Sequence, residues 1–301
     1  MGSLGLDISS KRLLAVVLGH DGRVTHKARY RMEQHCLPRS CASLMLRAID
    51  DAQSSIGPVD GIGIGFPGVV DAKKGIARYS TILPGWENIR LANAIGSAAQ
   101  LPCAIDNRVN NNARAELSLR HGQPDTFLFV SAGDQVRAAL VLDGTVWTGT
   151  SGLAGELGHV CVQPDGPRCT CGSNGCINVL ATTQSIASEL NVAPRDISVC
   201  VQTRPNAAET VLAAAGSALG RAIAAACNLM NVSMVVLAGP LAGFEPFRTA
   251  AELTARNIAL DEVQAACTFE VARAGISGKA LGAAVLAQTL PPRSLSERSA
   301  A

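Results

Sequence analysis

Apolar and polar positions alternate along Leu4-Gly5-Leu6-Asp7-Ile8, the two-residue period of a strand. Leu13–Leu18 is a continuous apolar run and Arg23–Ala28 a further short strand pattern. Ser9, Ser10 and Lys11 separate the first two, and Gly19-His20-Asp21-Gly22 turns the chain into the third. Residues 39–54 place apolar side chains at helical spacing (Leu44, Leu46, Ile49), and Gly61–Phe66 reads as a buried strand stopped by Pro67-Gly68. Helices are predicted at 89–99 and 107–120. A second strand cluster follows at Thr126–Ser131, Ala138–Leu142 and Gly144–Thr148, with a hairpin turn at Asp143-Gly144. Residues 149–176 are irregular. Helices dominate 177–230, then come a strand at 234–238, a helix near 245–258, a strand at 268–272 and a last helix at 278–289. The polar tail 291–301 is predicted to be disordered.

The two strand clusters read alike: LGLDISSKRLLAVVLGHDGRV against FLFVSAGDQVRAALVLDGTVW. This predicts an internally duplicated α/β unit, with two lobes and a small-molecule cleft between them. The 301 residues suit that size, and an apolar fraction of 48% with 17% charged residues excludes a disordered chain. A net charge of +2, from 26 basic and 24 acidic side chains, gives no field for nucleic acid or anionic membrane. The uncharged stretch 222–244 is broken by Asn228, Asn231, Gly239 and Pro240, so it predicts a buried helix and strand rather than a membrane span. The N-terminus enters a strand at once, without the order of a leader peptide. Of ten cysteines, seven are scattered, and they read as reduced, buried small hydrophobes of a cytoplasmic protein.

The other three carry the strongest chemical signal. His159, Cys169, Cys171 and Cys176 place one imidazole and three thiolates within 18 residues, among glycines that permit tight turns. Four such ligands are what tetrahedral zinc needs, and they leave no position for water, so the predicted site is structural and closed.

AGELGH followed by CTCGSNGC resembles the ROK family of sugar kinases and transcriptional repressors. GIGIGFPGVVD (61–71), LPGW (83–86), DNRVN (106–110), GLAGELGHV (152–160) and KALGAAVLA (279–287) follow in the family's order. The resemblance implies the actin-like, hexokinase-like (ribonuclease H-like) bilobal α/β fold. Its lobes are expected at residues 1–111 plus 278–290 and at 112–277, with the zinc loop at 155–178. It implies a sugar ligand and a homodimer. The kinase branch, acting on hexoses such as allose, glucose or N-acetylated hexosamines, is the nearer one, because no helix-turn-helix domain precedes residue 1. Asn107, Glu156 and His159 are the sugar contacts it implies, and Asn178 stands where the family has a further sugar-binding glutamate.

The chain departs from the kinase pattern at the chemistry. Arg108 occupies the position of the family's aspartate base, and a guanidinium cannot accept a hydroxyl proton. Asp106 is the one candidate for a relocated base. Asp7-Ile8-Ser9-Ser10-Lys11 and Gly133-Asp134-Gln135-Val136-Arg137 replace two glycine-rich phosphate loops, and Ala238-Gly239-Pro240 a third glycine run. Together these changes predict that ATP is not used. The expected function is non-kinase chemistry on a sugar, sugar phosphate or polyol, with Glu156 as acid or base. The alternatives are a non-catalytic sugar sensor or regulatory subunit, and an active kinase with a relocated base. Lys11, Arg108 and Arg137 would suit an anionic group on the ligand; alternatively Arg108 pairs with Asp7, Asp106 or Asp134.

Overall fold

The computed structural model describes residues 2–33, 36–120 and 123–291; the tail expected to be disordered lies, from residue 292 on, outside the described residues. The chain divides into two compact units. One comprises Met1–Gly122, Gly149–Leu153 and Arg273–Ala301, the other Gln123–Thr148 and Ala154–Ala272.

The first unit opens with β1 (Gly2–Ile8), β2 (Arg12–Gly19), β3 (Val24–Arg31), α1 (Pro38–Ile56) and β4 (Val59–Phe66). A small hairpin of β5 (Val69–Asp71) and β6 (Ile76–Tyr79) follows, then α2 (Leu91–Ala99), β7 (Cys103–Asn107) and α3 (Arg108–Leu119). Its sheet runs β3-β2-β1-β4-β7, antiparallel across β3, β2 and β1 and parallel across β1, β4 and β7. The expected lobe boundary at 111 falls inside α3, which remains whole in this unit.

The second unit holds β8 (Phe127–Ala132), β9 (Val136–Leu142) and β10 (Thr145–Trp147). After an irregular stretch up to residue 176 come α4 (Ile177–Leu180), α5 (Thr183–Leu190), α6 (Ile197–Thr203), α7 (Pro205–Met230), β11 (Met234–Ala238), α8 (Glu245–Ile258), α9 (Asp261–Ala266) and β12 (Thr268–Val271). The sheet order β10-β9-β8-β11-β12 repeats the first unit's order and its strand directions. The duplication expected from two similar strand clusters is thus present in the topology. Asp143 (φ 48°) and Gly144 (φ 71°) make the expected hairpin turn, where both central residues need positive φ.

Helix α7 is long and apolar enough to cross a membrane, but 56% of its most apolar stretch is buried inside the protein. The uncharged stretch 222–244 divides, as expected, into the end of α7 and strand β11.

The last helix, α10 (Gly278–Gln288), belongs to the first unit, and its approach is set by strand alternation. Leu4, Leu6 and Ile8 of β1, with Leu13, Ala15 and Val17 of β2, bury in the core shared with α1 and α2. Leu14, Val16 and Leu18 point to the other face and pack with Ala280, Leu281 and Ala284 of α10. On that face β1 and β4 carry Gly5 and Gly63, where a Cβ would lie 1.9 Å from the Ala280 carbonyl and 1.8 Å from the Ala283 carbonyl. Backbone touches backbone there. Gly63→Ala is therefore expected to destabilise the protein by at least the upper part of the ~1–3 kcal/mol typical of overpacking. Urea denaturation checks this, and an unchanged midpoint would refute the close approach.

Candidate functional site

The segment from Gly155 to Asn178 is anchored to β9 before any ligand is considered. Gly155 (φ 87°) accepts from the Ala138 N–H at 2.7 Å, and a Cβ on Gly155 would stand 2.0 Å from the Ala138 carbonyl. Asn178, at the start of α4, accepts from the Val136 N–H at 2.7 Å through Oδ1. It thereby ties the far end of the segment to the same strand. A 3-10 turn at Leu157–His159 then presents His159.

The four expected ligands come together. The ligand atoms of His159, Cys169, Cys171 and Cys176 all lie within 4.8 Å of one another, with Cys169 and Cys176 buried. Cys169 Sγ stands 3.7 Å from His159 Nδ1, and Cys171 Sγ stands 3.6 Å from Cys176 Sγ. Zinc–sulfur bonds of ~2.3 Å would place tetrahedral ligands ~3.8 Å apart, so the cluster has the dimensions and donor set of a closed tetrahedral metal centre. The thiols also perturb one another. Backbone hydrogen bonding at Cys171, then the neighbouring thiols and His159, hold Cys169 down to about 6. Burial, then the adjacent Cys171 and Cys169, pushes Cys176 up to about 12. A cation resolves that conflict, because it lets all the sulfurs ionise together.

Arg108 and Arg137, two of the cations expected to suit an anionic ligand, are each engaged by a carboxylate. Asp7, at the end of β1 and 1% exposed, accepts from Arg108 Nε at 2.6 Å and from Arg108 Nη2 at 2.8 Å, a bidentate pair. Of the three partners expected for Arg108, Asp7 is the one observed. In the second unit, Arg137 on β9 donates to Glu156 Oε1 at 2.5 Å and to Gln135 Oε1 at 3.2 Å. Arg108 and Arg137 are therefore not free cations awaiting an anionic ligand. Lys11 is exposed in the turn between β1 and β2.

The remaining expected residues serve the backbone. Asn107 caps α3, its Oδ1 accepting from the Val109 N–H and its Nδ2 donating to the Gly68 carbonyl, both at 2.8 Å. Asp106 is 2% exposed, and its Oδ1 accepts from the Asn107 N–H (2.6 Å) and Asn110 Nδ2 (2.9 Å). Its Oδ2 lies 2.6 Å from Arg114, outside hydrogen-bond alignment. The expected relocated base is thus a buried group with three protein partners.

The segments expected to replace phosphate loops carry contacts of their own. Asp134 accepts from the Thr183 hydroxyl at 2.7 Å. Pro240, which has no N–H to offer, stands so near Gly133 that a Cβ there would meet its ring at 3.0 Å. Reading the sequence did not assign Glu156 as the partner of Arg137 and did not find Arg114. Charge complementarity is the only signal for either, and spacing alone does not choose among the carboxylates.

A model of the ROK family matches residues 3–290. The chain is 27% identical over 188 residues to a glucokinase of Thermotoga maritima, covering 61% of this chain and 58% of that protein. It is 25% identical over 190 residues to a xylose repressor of Caldicellulosiruptor bescii, covering 62% of this chain and 47% of that protein. The chain thus spans about half the length of these relatives. Among solved structures it resembles the ROK hexokinase of Thermus thermophilus, with a TM-score of 0.85, 26% identity and coverage of 96% of this chain and 98% of that one.

Proposed function

We propose, on the premise that this chain belongs to the ROK family, that it binds a sugar without phosphorylating it and works as a ligand-responsive regulatory protein. The observation that carries this reading is the Arg108–Asp7 pair. It puts a permanently charged donor where the kinase pattern has its base, and it engages the one aspartate left of the first phosphate loop. Phosphoryl transfer depends on positioning and on donors around the phosphates, and Ser9, Ser10, Gln135 and Arg137 stand where glycines would supply them.

Acid or base chemistry by Glu156 is the second reading. What favours it is that the carboxylate keeps 31% side-chain exposure; what counts against it is that Arg137 already holds Oε1. Zinc is the proposed occupant of the four-ligand cluster, where it would brace the loop that carries Glu156. An intracellular homodimer is proposed on family membership alone.

The test joins two measurements on the full chain. With Mg-ATP and either glucose or xylose, ADP formation is expected to stay at the sugar-free rate, while calorimetry or ligand-observed NMR detects saturable binding of a sugar from a hexose and pentose panel. Sugar-dependent ADP formation would overturn the reading in favour of a kinase. Conversion of a sugar without ATP would replace it with the second reading.

A further inference from the structure

Strand β3 is the outer strand of the first unit's sheet, so one of its two backbone edges has no strand beside it. From His26 to Arg31 its side chains alternate. His26, Ala28 and Tyr30 are half-buried, and Ala28 and Tyr30 pack on the core shared with α1. Lys27, Arg29 and Arg31 are exposed.

The register decides two further things. Lys27 stands opposite Val16, Arg29 opposite Leu14 and Arg31 opposite Arg12, so the cations share the face of β2 that packs on α10. The Met32 N–H donates to the Lys11 carbonyl at 3.0 Å, which makes that pair a hydrogen-bonded one. Antiparallel pairs alternate in type. Arg31, Arg29 and Lys27 therefore belong to the other kind, and their N–H and C=O groups point away from β2. The residues that carry the cations also carry the edge's free backbone donors and acceptors. Along that edge a cation recurs about every 6.8 Å, two residues of an antiparallel strand.

No carboxylate neutralises this stripe. Among the described residues, no ion pair or side-chain hydrogen bond engages Lys11, Arg12, Lys27, Arg29 or Arg31. Arg12 and Arg31 are set directly against each other, which costs stability. Cations on an edge strand guard it against self-association, because a second copy of β3 would bring cation to cation. Arg12 lies on β2, inside the sheet, and guarding the edge does not account for it.

We infer that β3 is a docking edge for an extended acidic segment of a partner protein, which adds as a sixth strand with carboxylates at alternate positions. The segment's backbone would take up the free N–H and C=O groups. Its carboxylates would meet Lys27, Arg29 and Arg31 across the new ladder. A nucleic acid suits this edge less well. The two rings of β3, His26 and Tyr30, lie on the α1 side, and Tyr30 donates to Asp51 at 3.0 Å. That leaves β3 no ring on the basic face for a base to stack on.

The experiment uses the full chain and a fluorescent peptide of alternating Glu and Thr, matched to the eight residues of β3 and read by anisotropy. Saturable binding is expected. Combining Lys27→Gln, Arg29→Gln and Arg31→Gln should weaken it about tenfold or more. Arg195→Gln, which removes an exposed cation of the second unit, should leave it unchanged. Two further peptides carry N-methyl groups, one on its Glu amides and the other on its Thr amides. Only one set of amides faces β3 in an added strand, so one peptide should lose binding and the other keep it. A single-stranded oligonucleotide of equal charge, and vesicles of an anionic phospholipid, should bind more weakly than the acidic peptide. Circular dichroism checks the triple variant; if it is misfolded, the methylated peptides on the unaltered chain decide. Equal behaviour of the two methylated peptides would reduce the contact to charge alone and overturn strand addition. No binding of the acidic peptide, tighter binding of the oligonucleotide or vesicles, or unchanged binding by a folded triple variant would overturn it as well.

Discussion

Protein purified without chelators is expected to carry one zinc ion per chain, and Cys171→Ser is expected to lose it. The reason lies in how little else holds the loop. Between Val160 and Cys176 there is no helix or strand, only isolated bridges at Cys161–Cys176 and Arg168–Asn174 and turn hydrogen bonds such as Cys169 N–H to the Ser173 carbonyl. Gly172 (φ 98°) and Gly175 (φ 60°) make the turns, and a Cβ on Gly175 would stand 1.6 Å from the Gln163 carbonyl. Such a segment loses conformational entropy on folding with little apolar burial in return, and metal binding, at ~10–16 kcal/mol for structural zinc, would supply the difference. Removing one thiolate is expected to lower stability by on the order of 4–5 kcal/mol, the upper range for a single substitution. Metal analysis, thermal unfolding and proteolysis between 161 and 176 check this. The control is Cys161→Ser: Cys161 is exposed and adjacent but is not one of the four ligands, so its removal should leave the metal in place. Substoichiometric zinc in the unaltered protein, or equal behaviour of the two variants, would end the assignment.

Features set by neighbours in sequence were legible before the fold was known. The alternation in β1 gave a strand with two distinct faces, and the four candidate metal ligands fall within one short segment whose glycines announce its turns. Features set by topology were not. Strand β7 is only Cys-Ala-Ile-Asp-Asn, and its polar end reads as the start of the helix that follows. The hairpin of β5 and β6 is three and four residues long, too short for a period to register. Arg108 and Asp7 lie 101 positions apart, and three aspartates were equally plausible partners until the parallel pairing of β1, β4 and β7 placed the end of β1 beside the start of α3. Asp106 looked available as a base because its sequence position says nothing of burial; Asn107, Asn110 and Arg114 close around it only in the folded unit.

Arg108→Ala is expected to destabilise the protein by about 3–5 kcal/mol, the cost of removing one partner from a buried ion pair. Asp7 is 1% exposed and the Arg108 side chain 17%, so truncation strands a carboxylate where water cannot replace two charge-assisted hydrogen bonds. Arg108→Asp, which restores the residue type of the kinase pattern, should do worse. It sets a second carboxylate against Asp7, and on the proposed reading Ser9, Ser10 and Gln135 would still stand in place of glycine donors, so no sugar-dependent ATP turnover is expected to appear. The double variant Asp7→Asn with Arg108→Met should recover much of the loss, since removing both charges leaves neither stranded. Urea midpoints for the single and double variants give the coupling directly. A loss below ~1 kcal/mol for Arg108→Ala, the range of an exposed pair, would show that the interaction is weaker than its geometry demands. Kinase activity in Arg108→Asp would show instead that the arginine alone had silenced an otherwise working site.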